Sequence, residues 1–151
     1  MIRRSTSLAV CGVIATLLSV GFTASGSSPQ NLRGAWNVTI ELDGSVLCTA
    51  PSLITADGGV VANACAPSES PGYGEWVRTG NREFAVTFVG HEYAPDGSQI
   101  GTYKVRARGS LGEDSQTFSG PFTSDIFDLN GNLIVSFNGT VQGKRIVVES
   151  F

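Results

Sequence analysis

The chain of 151 residues has one histidine, His91, and three cysteines. One imidazole cannot build a three-ligand zinc centre, and no Cys-x-x-Cys pair supplies the missing ligands. There is also no Gly-rich phosphate loop, no nucleophile elbow and no Cys–His pairing signature. No metal and no cofactor are therefore expected. Basic residues are scarce: 10 Lys and Arg stand against 13 Asp and Glu, for a net charge of −3. That balance excludes nucleic acid as a main partner, because phosphate-backbone binding rests on clustered cations. The one basic concentration, Lys104, Arg106 and Arg108, recurs at period two and marks one face of a strand. Helical patterning is missing too. No stretch carries a 3.6-residue apolar period, and no linker or low-complexity block divides the chain.

What is present begins with a leader. Arg3 and Arg4 precede an apolar run from Leu8 to Phe22, and Thr23, Ala24, Ser25 and Gly26 then supply small side chains. Residues 1–26 read as a secretory signal peptide cut after Ser25 or Gly26. The apolar run is about 15 residues, short of the roughly 20 that a bilayer-spanning helix needs. An uncleaved anchor is the weaker alternative. A lipoprotein is weaker again, since Cys11 lies before most of the apolar run. The expected destination is the periplasm or the extracellular space, with no stable membrane insertion after cleavage. Losing Arg3 and Arg4 takes the net charge from −3 to about −5.

Two cysteines then remain, Cys48 and Cys65. In an exported chain they are expected to pair with each other. The bond closes a loop of about 18 residues, worth about 3 kcal/mol on the loop-entropy account.

The remaining sequence reads as strands and tight turns. Trp36, Val38, Ile40 and Leu42 alternate with Asn37, Thr39 and Glu41, the mark of a half-buried strand. Asp43-Gly44, Asp57-Gly58-Gly59, Gly80-Asn81, Asp96-Gly97 and Asn130-Gly131 are hairpin signals. Pro51 is expected to interrupt the second strand, and residues 66–72 to form a loop. The 19 glycines suit a tightly turned sheet better than helices. Gly101, Gly109, Gly120 and Gly139 sit inside strand runs, where they permit sharp coiling. The expected fold is all-β: one antiparallel up-and-down barrel of about eight strands over residues 32–150. A two-sheet sandwich is the alternative.

Two resemblances follow. Gly34-Ala35-Trp36 opens the first strand like the Gly-x-Trp start of the calycin barrels, the lipocalins and avidins. That resemblance implies that Trp36 closes one end of the barrel and that Arg145, from the last strand, packs across it. The lipocalin helix between the last strands has no counterpart. The segment from Glu92 to Gly101, with Phe118-Ser119-Gly120 further on, resembles the small barrels of the allene oxide cyclase and dirigent type. That resemblance implies an apolar lumen that folds a reactive substrate into one cyclic product, without a covalent nucleophile.

The functional expectation is an exported barrel that binds an apolar or amphipathic small molecule. Phe84, Val86, Phe88, Tyr103, Val105, Phe118 and Phe122 would line its lumen. The alternatives are a cofactor-free cyclase or isomerase, with Tyr93, Arg106 and Glu92 as catalytic candidates, and an interaction domain with a filled lumen. His91 falls on the less bulky face of its strand and is expected outside or on the rim. The face of Thr102, Lys104, Arg106, Arg108 and Ser110 is expected in solvent. The alternative puts Arg106 or Arg108 in the lumen facing an anionic ligand or Asp125, because an unpaired buried charge is costly. Tyr73, Trp76 and Tyr93 could frame a mouth, but core and rim packing accounts for them better. Asp128 and Asn130 read as a hairpin turn and not as a calcium loop. Asn37 and Asn138 each head an Asn-x-Thr sequon. Oligomeric state has no sequence mark.

Overall fold

Eight strands form in chain order: β1 (Gly34–Leu42), β2 (Ser45–Ile54), β3 (Gly59–Ala62), β4 (Gly72–Arg78), β5 (Glu83–Tyr93), β6 (Gln99–Leu111), β7 (Thr117–Asp128) and β8 (Leu133–Arg145). The structure is a computed structural model that describes residues 31–150. The leader read over residues 1–26 lies outside the described residues. Each strand pairs antiparallel with the next, and β8 returns to β1, closing an up-and-down barrel. Among the described residues there is no helix.

The turns follow their chemistry. Asp43 and Gly44 both take positive φ, 50° and 76°, the backbone that a two-residue hairpin with right-handed twist requires. Asp128 holds the β7–β8 turn by accepting from the amides of Asn130 and Asn132, both at 2.8 Å. The hairpin reading of that cluster therefore has its hydrogen bonds.

Pro51 does not interrupt β2, contrary to the sequence expectation. It sits within the strand opposite Asn37, and β2 runs unbroken from Ser45 to Ile54. The Pro51 carbonyl accepts from Asn63 N at 3.2 Å, so its missing N–H falls on the β3 side. There the ladder begins only at Ser52 opposite Ala62. The proline thus occupies a local edge, where no ladder bond is lost.

Gly120 shows why the wall needs glycine. A Cβ there would lie 1.9 Å from the Arg108 carbonyl oxygen. The β6–β7 pairing lapses between Ala107–Phe122 and Ser110–Ser119, around this close approach, and resumes in the same register.

The core sits at one end. Leu32 crosses beneath the barrel and Trp36 is fully buried above it. Ile54, Val60, Phe84, Leu111 and Phe118 pack around them. Trp36 and Phe118 meet edge-on at 4.9 Å, and Phe84 meets Phe118 at 5.4 Å. The indole N–H of Trp36 donates to the Leu32 carbonyl at 2.8 Å, which satisfies its one polar atom.

Candidate functional site

The aromatic cluster of Trp36, Phe84 and Phe118 fills the closed end of the barrel. Above it lies a cavity of about 370 Å³, open toward the other end. Its wall is built from the inward residues of nearly every strand: Val38 and Ile40 on β1, Ala50 on β2, Ala62 on β3, Val86 and Phe88 on β5, Val105 and Ala107 on β6, Phe122 and Ile126 on β7, and Val141 on β8. The period-two alternation places them there, because it sends every second side chain to the same face. Small residues opposite large ones leave the volume. Ala107 pairs with both Val86 and Phe122 across its two neighbouring strands.

All seven residues expected to line a lumen, Phe84, Val86, Phe88, Tyr103, Val105, Phe118 and Phe122, border this one cavity. Phe84 and Phe118 form its floor as part of the core. The polar groups on its lining are few: Ser52, Asn63, Glu69, Tyr103 and Ser124. Among the described residues, no Lys or Arg lines the cavity.

Residues 63–71 cross the open end. Asn63, Ala64, Cys65 and Glu69 of this segment border the cavity. It is fastened on two sides. Cys48 and Cys65 form a disulfide, with Cα atoms 5.8 Å apart, which ties the segment to β2. A bonded pair of this kind fits an oxidising compartment. On the opposite side Glu69 bridges to Glu92, Ser70 N donates to the His91 carbonyl at 2.9 Å, and Tyr93 N donates to the Ser68 carbonyl at 2.8 Å. The Glu69 carboxylate accepts from the amides of Cys65 and Ala66 at 3.2 and 3.4 Å, so it folds the segment on itself.

Tyr103 supplies the central fastening. Its ring lies over Gly90, where a Cβ would stand 2.4 Å from the ring carbon and the hydroxyl. Only glycine leaves that space. The hydroxyl therefore reaches up and donates to the Ser70 carbonyl at 2.7 Å. Burial, with the nearby carboxylates of Glu69 and Glu92, pushes the phenol up to about 12. Tyr103 is thus a neutral hydrogen-bond donor at any physiological pH. Glu92, desolvated and next to Glu69, has its carboxyl raised above the usual glutamate range.

The three catalytic candidates are not brought together. Arg106 points out of the barrel, with its side chain about half exposed, and pairs with Asp125 on the outer wall. Asp125 also accepts from the Ser136 hydroxyl at 2.6 Å, and Arg106 and Ser136 together cover it. Tyr93 lies beyond a register shift at the end of β5, with its ring beside the exposed His91 at 6.4 Å. Glu92 stays at the rim near Glu69 and Tyr103. Tyr73, Trp76 and Tyr93 do not frame a mouth either. Tyr73 is exposed, and the Trp76 indole donates to the Thr55 carbonyl at 2.9 Å while its ring packs on the core.

The contribution of Glu69 was missed from the sequence, because a loop carries no periodicity to say which side chain turns inward. The β1 lining residues were legible, since Val38 and Ile40 share the Trp36 face.

No protein-family model, no curated protein and no solved structure matches this chain. The architecture is that of an eight-stranded antiparallel closed barrel, compatible with the small calycin-like barrels. The Arg145 guanidinium packs over the Trp36 ring, as the calycin resemblance implied.

Proposed function

We propose that this protein binds one apolar or amphipathic small molecule inside the barrel. The observation that carries the reading is the cavity of about 370 Å³ with an almost wholly apolar lining. Cavities from about 300 to 1,000 Å³ with few polar groups are typical of small-molecule sites. Polar groups gather at the mouth, at Asn63, Glu69 and Tyr103, so an amphipathic guest would place its polar end there and its apolar body below. Compatibility with the calycin architecture supports the same reading, as does the signal-like leader of an exported carrier.

The cyclase reading needs an acid and a cation converging on one cavity. Arg106 stands outside, and among the described residues no Lys or Arg borders the lumen, so no specific observation favours it.

Native mass spectrometry of the purified protein tests the proposal, together with titration of a solvatochromic apolar dye and its displacement by a panel of fatty acids, terpenoids and aromatic metabolites. One bound molecule per barrel, displaced competitively, is the expected result. A panel in which nothing binds more tightly than about 1 mM, about −4 kcal/mol, overturns it.

A further inference from the structure

The barrel wall is uneven, and at the top its last strand is paired on one side only. The β1–β8 ladder starts with Trp36 opposite Arg145 and stops with Glu41 opposite Thr140. β8 nevertheless runs on from Thr140 back to Leu133, and β7 accompanies it throughout. Residues 133–138 thus have a strand on one side and, among the described residues, none on the other, since β1 ends at Leu42 against Gly139. Ile134 is 63% exposed. Phe137 borders the lumen and Val135 shares its face, yet they remain 43% and 38% exposed, because β1 has ended below them.

An open edge of this kind normally carries a lysine, a glutamate or a proline that discourages pairing. Residues 129–143 contain no Asp, Glu, Lys, Arg or Pro. The open edge presents backbone N–H and C=O groups. A bilayer surface or an apolar ligand could cover the side chains but offers nothing to those groups. A strand offers both. The segment is also self-complementary. Antiparallel pairing centred on Ser136 sets Val135 of one copy against Phe137 of the other, and Ile134 against Asn138. No like charges meet anywhere along it.

We propose that residues 133–138 of β8 form a dimerisation edge whose occupant is the same edge of a second copy, joined as an antiparallel two-fold ladder. Such a pairing is isologous and closes on itself, so it ends at two chains. An edge of about six residues buries less than the roughly 1,200 Å² of a standard stable interface, so the dimer is reversible and forms in the micromolar range.

Sedimentation equilibrium of the purified protein between about 1 and about 500 µM tests this. The expected result is a monomer–dimer equilibrium that Ile134→Lys shifts at least about tenfold toward monomer, with circular dichroism unchanged. Ser136→Cys, on the two-fold, gives a covalent dimer under mild oxidation, while Ser119→Cys, on β7 near the closed end, does not. Should Ile134→Lys fail to fold, the cysteine pair decides. Monomer throughout, a dimer indifferent to Ile134→Lys, open-ended association, or cross-linking at Ser119 as readily as at Ser136 overturns the proposal. So does adsorption to neutral phosphatidylcholine vesicles without any dimer.

Discussion

The Arg145 guanidinium lies over the Trp36 ring, 4.2 Å from the centroid, and donates at once to three backbone carbonyls. They belong to Ser115 at 3.0 Å, Arg33 at 2.6 Å and Asn31 at 2.8 Å. One side chain therefore ties together the last strand, the β6–β7 turn and the N-terminal segment that carries Leu32 under the core. The planar fork can stack and donate in three directions, which a lysine ammonium on its flexible stem cannot do from the same position. Arg145→Ala is expected to destabilise the barrel by about 2–4 kcal/mol, through lost charge-assisted bonds, a lost ring contact and carbonyls left unpaired. Arg145→Lys should recover less than half of that. Urea unfolding followed by tryptophan fluorescence measures both, and a loss below about 0.5 kcal/mol for Arg145→Ala would refute this role.

The disulfide between Cys48 and Cys65 fastens one side of the segment over the cavity, and the Tyr103–Ser70 bond fastens the other. Its removal should act on stability and on ligand exchange together. Replacing both cysteines by alanine is expected to cost about 3 kcal/mol. It should also speed ligand release several-fold, while Tyr103→Phe speeds release with a smaller loss of stability, about 1 kcal/mol. Stopped-flow dye release separates the effects. An unchanged release rate in both variants would mean that the segment does not gate the cavity.

Much of the barrel was readable because its signals are local. Trp36, Val38, Ile40 and Leu42 announce an inward face, and the Asp-Gly and Asn-Gly pairs announce the turns. Seven lumen residues follow from the same alternation on β5, β6 and β7. Where the reading failed, the deciding fact was non-local. Whether Pro51 breaks β2 depends on where β3 ends, which no residue near Pro51 encodes. The alternation did put the basic face of β6 outward, but the Arg106–Asp125 pair depends on a register that brings distant residues together. The open edge of β8 was invisible for the same reason: it exists because β1 is short, not because β8 is unusual.

Glu92 gives the rim a pH dependence of definite sign. Its carboxyl is raised above the ordinary 4.5 by desolvation first and by the Glu69 charge second. For a group raised in the folded state, the linked stabilisation is complete below the unfolded value and is lost as pH rises through the folded one. Stability should therefore fall modestly as pH climbs from about 4.5 through the raised value. Glu92→Gln should remove that fall and leave the protein at least as stable at neutral pH. Asp57, Asp96 and Asp128 lie the other way: hydrogen bonds from Thr55, Ser98 and Asn132, respectively, hold them below 3.8, so what they contribute is lost only as pH drops through their lowered values. Thermal unfolding across pH 3 to 8 tells the two windows apart. A wild-type profile that Glu92→Gln leaves unaltered above about pH 4.5 would show that neither burial nor the Glu69 charge raises the Glu92 carboxyl.

The sharpest separation between a binder and an enzyme comes from filling the lumen while leaving the outer wall intact. Ala107 borders the cavity between Val86 and Phe122, and a phenylalanine there would project its ring into that space. Ala107→Phe should weaken ligand binding at least about tenfold, about 1.4 kcal/mol. Because the ring enters existing space, stability should change by no more than about 1–2 kcal/mol. Arg106→Ala, by contrast, removes a cation from the outside of β6. It should leave ligand affinity within about twofold while costing stability through the uncovered Asp125, which stays hydrogen-bonded to Ser136 but loses its counter-charge. The two variants thus exchange effects: one empties the site without weakening the fold, and the other weakens the fold without touching the site. Isothermal titration of the same dye or ligand with each variant reads the outcome. A guest that still binds Ala107→Phe at full affinity, or that is lost from Arg106→Ala, does not sit in the lumen.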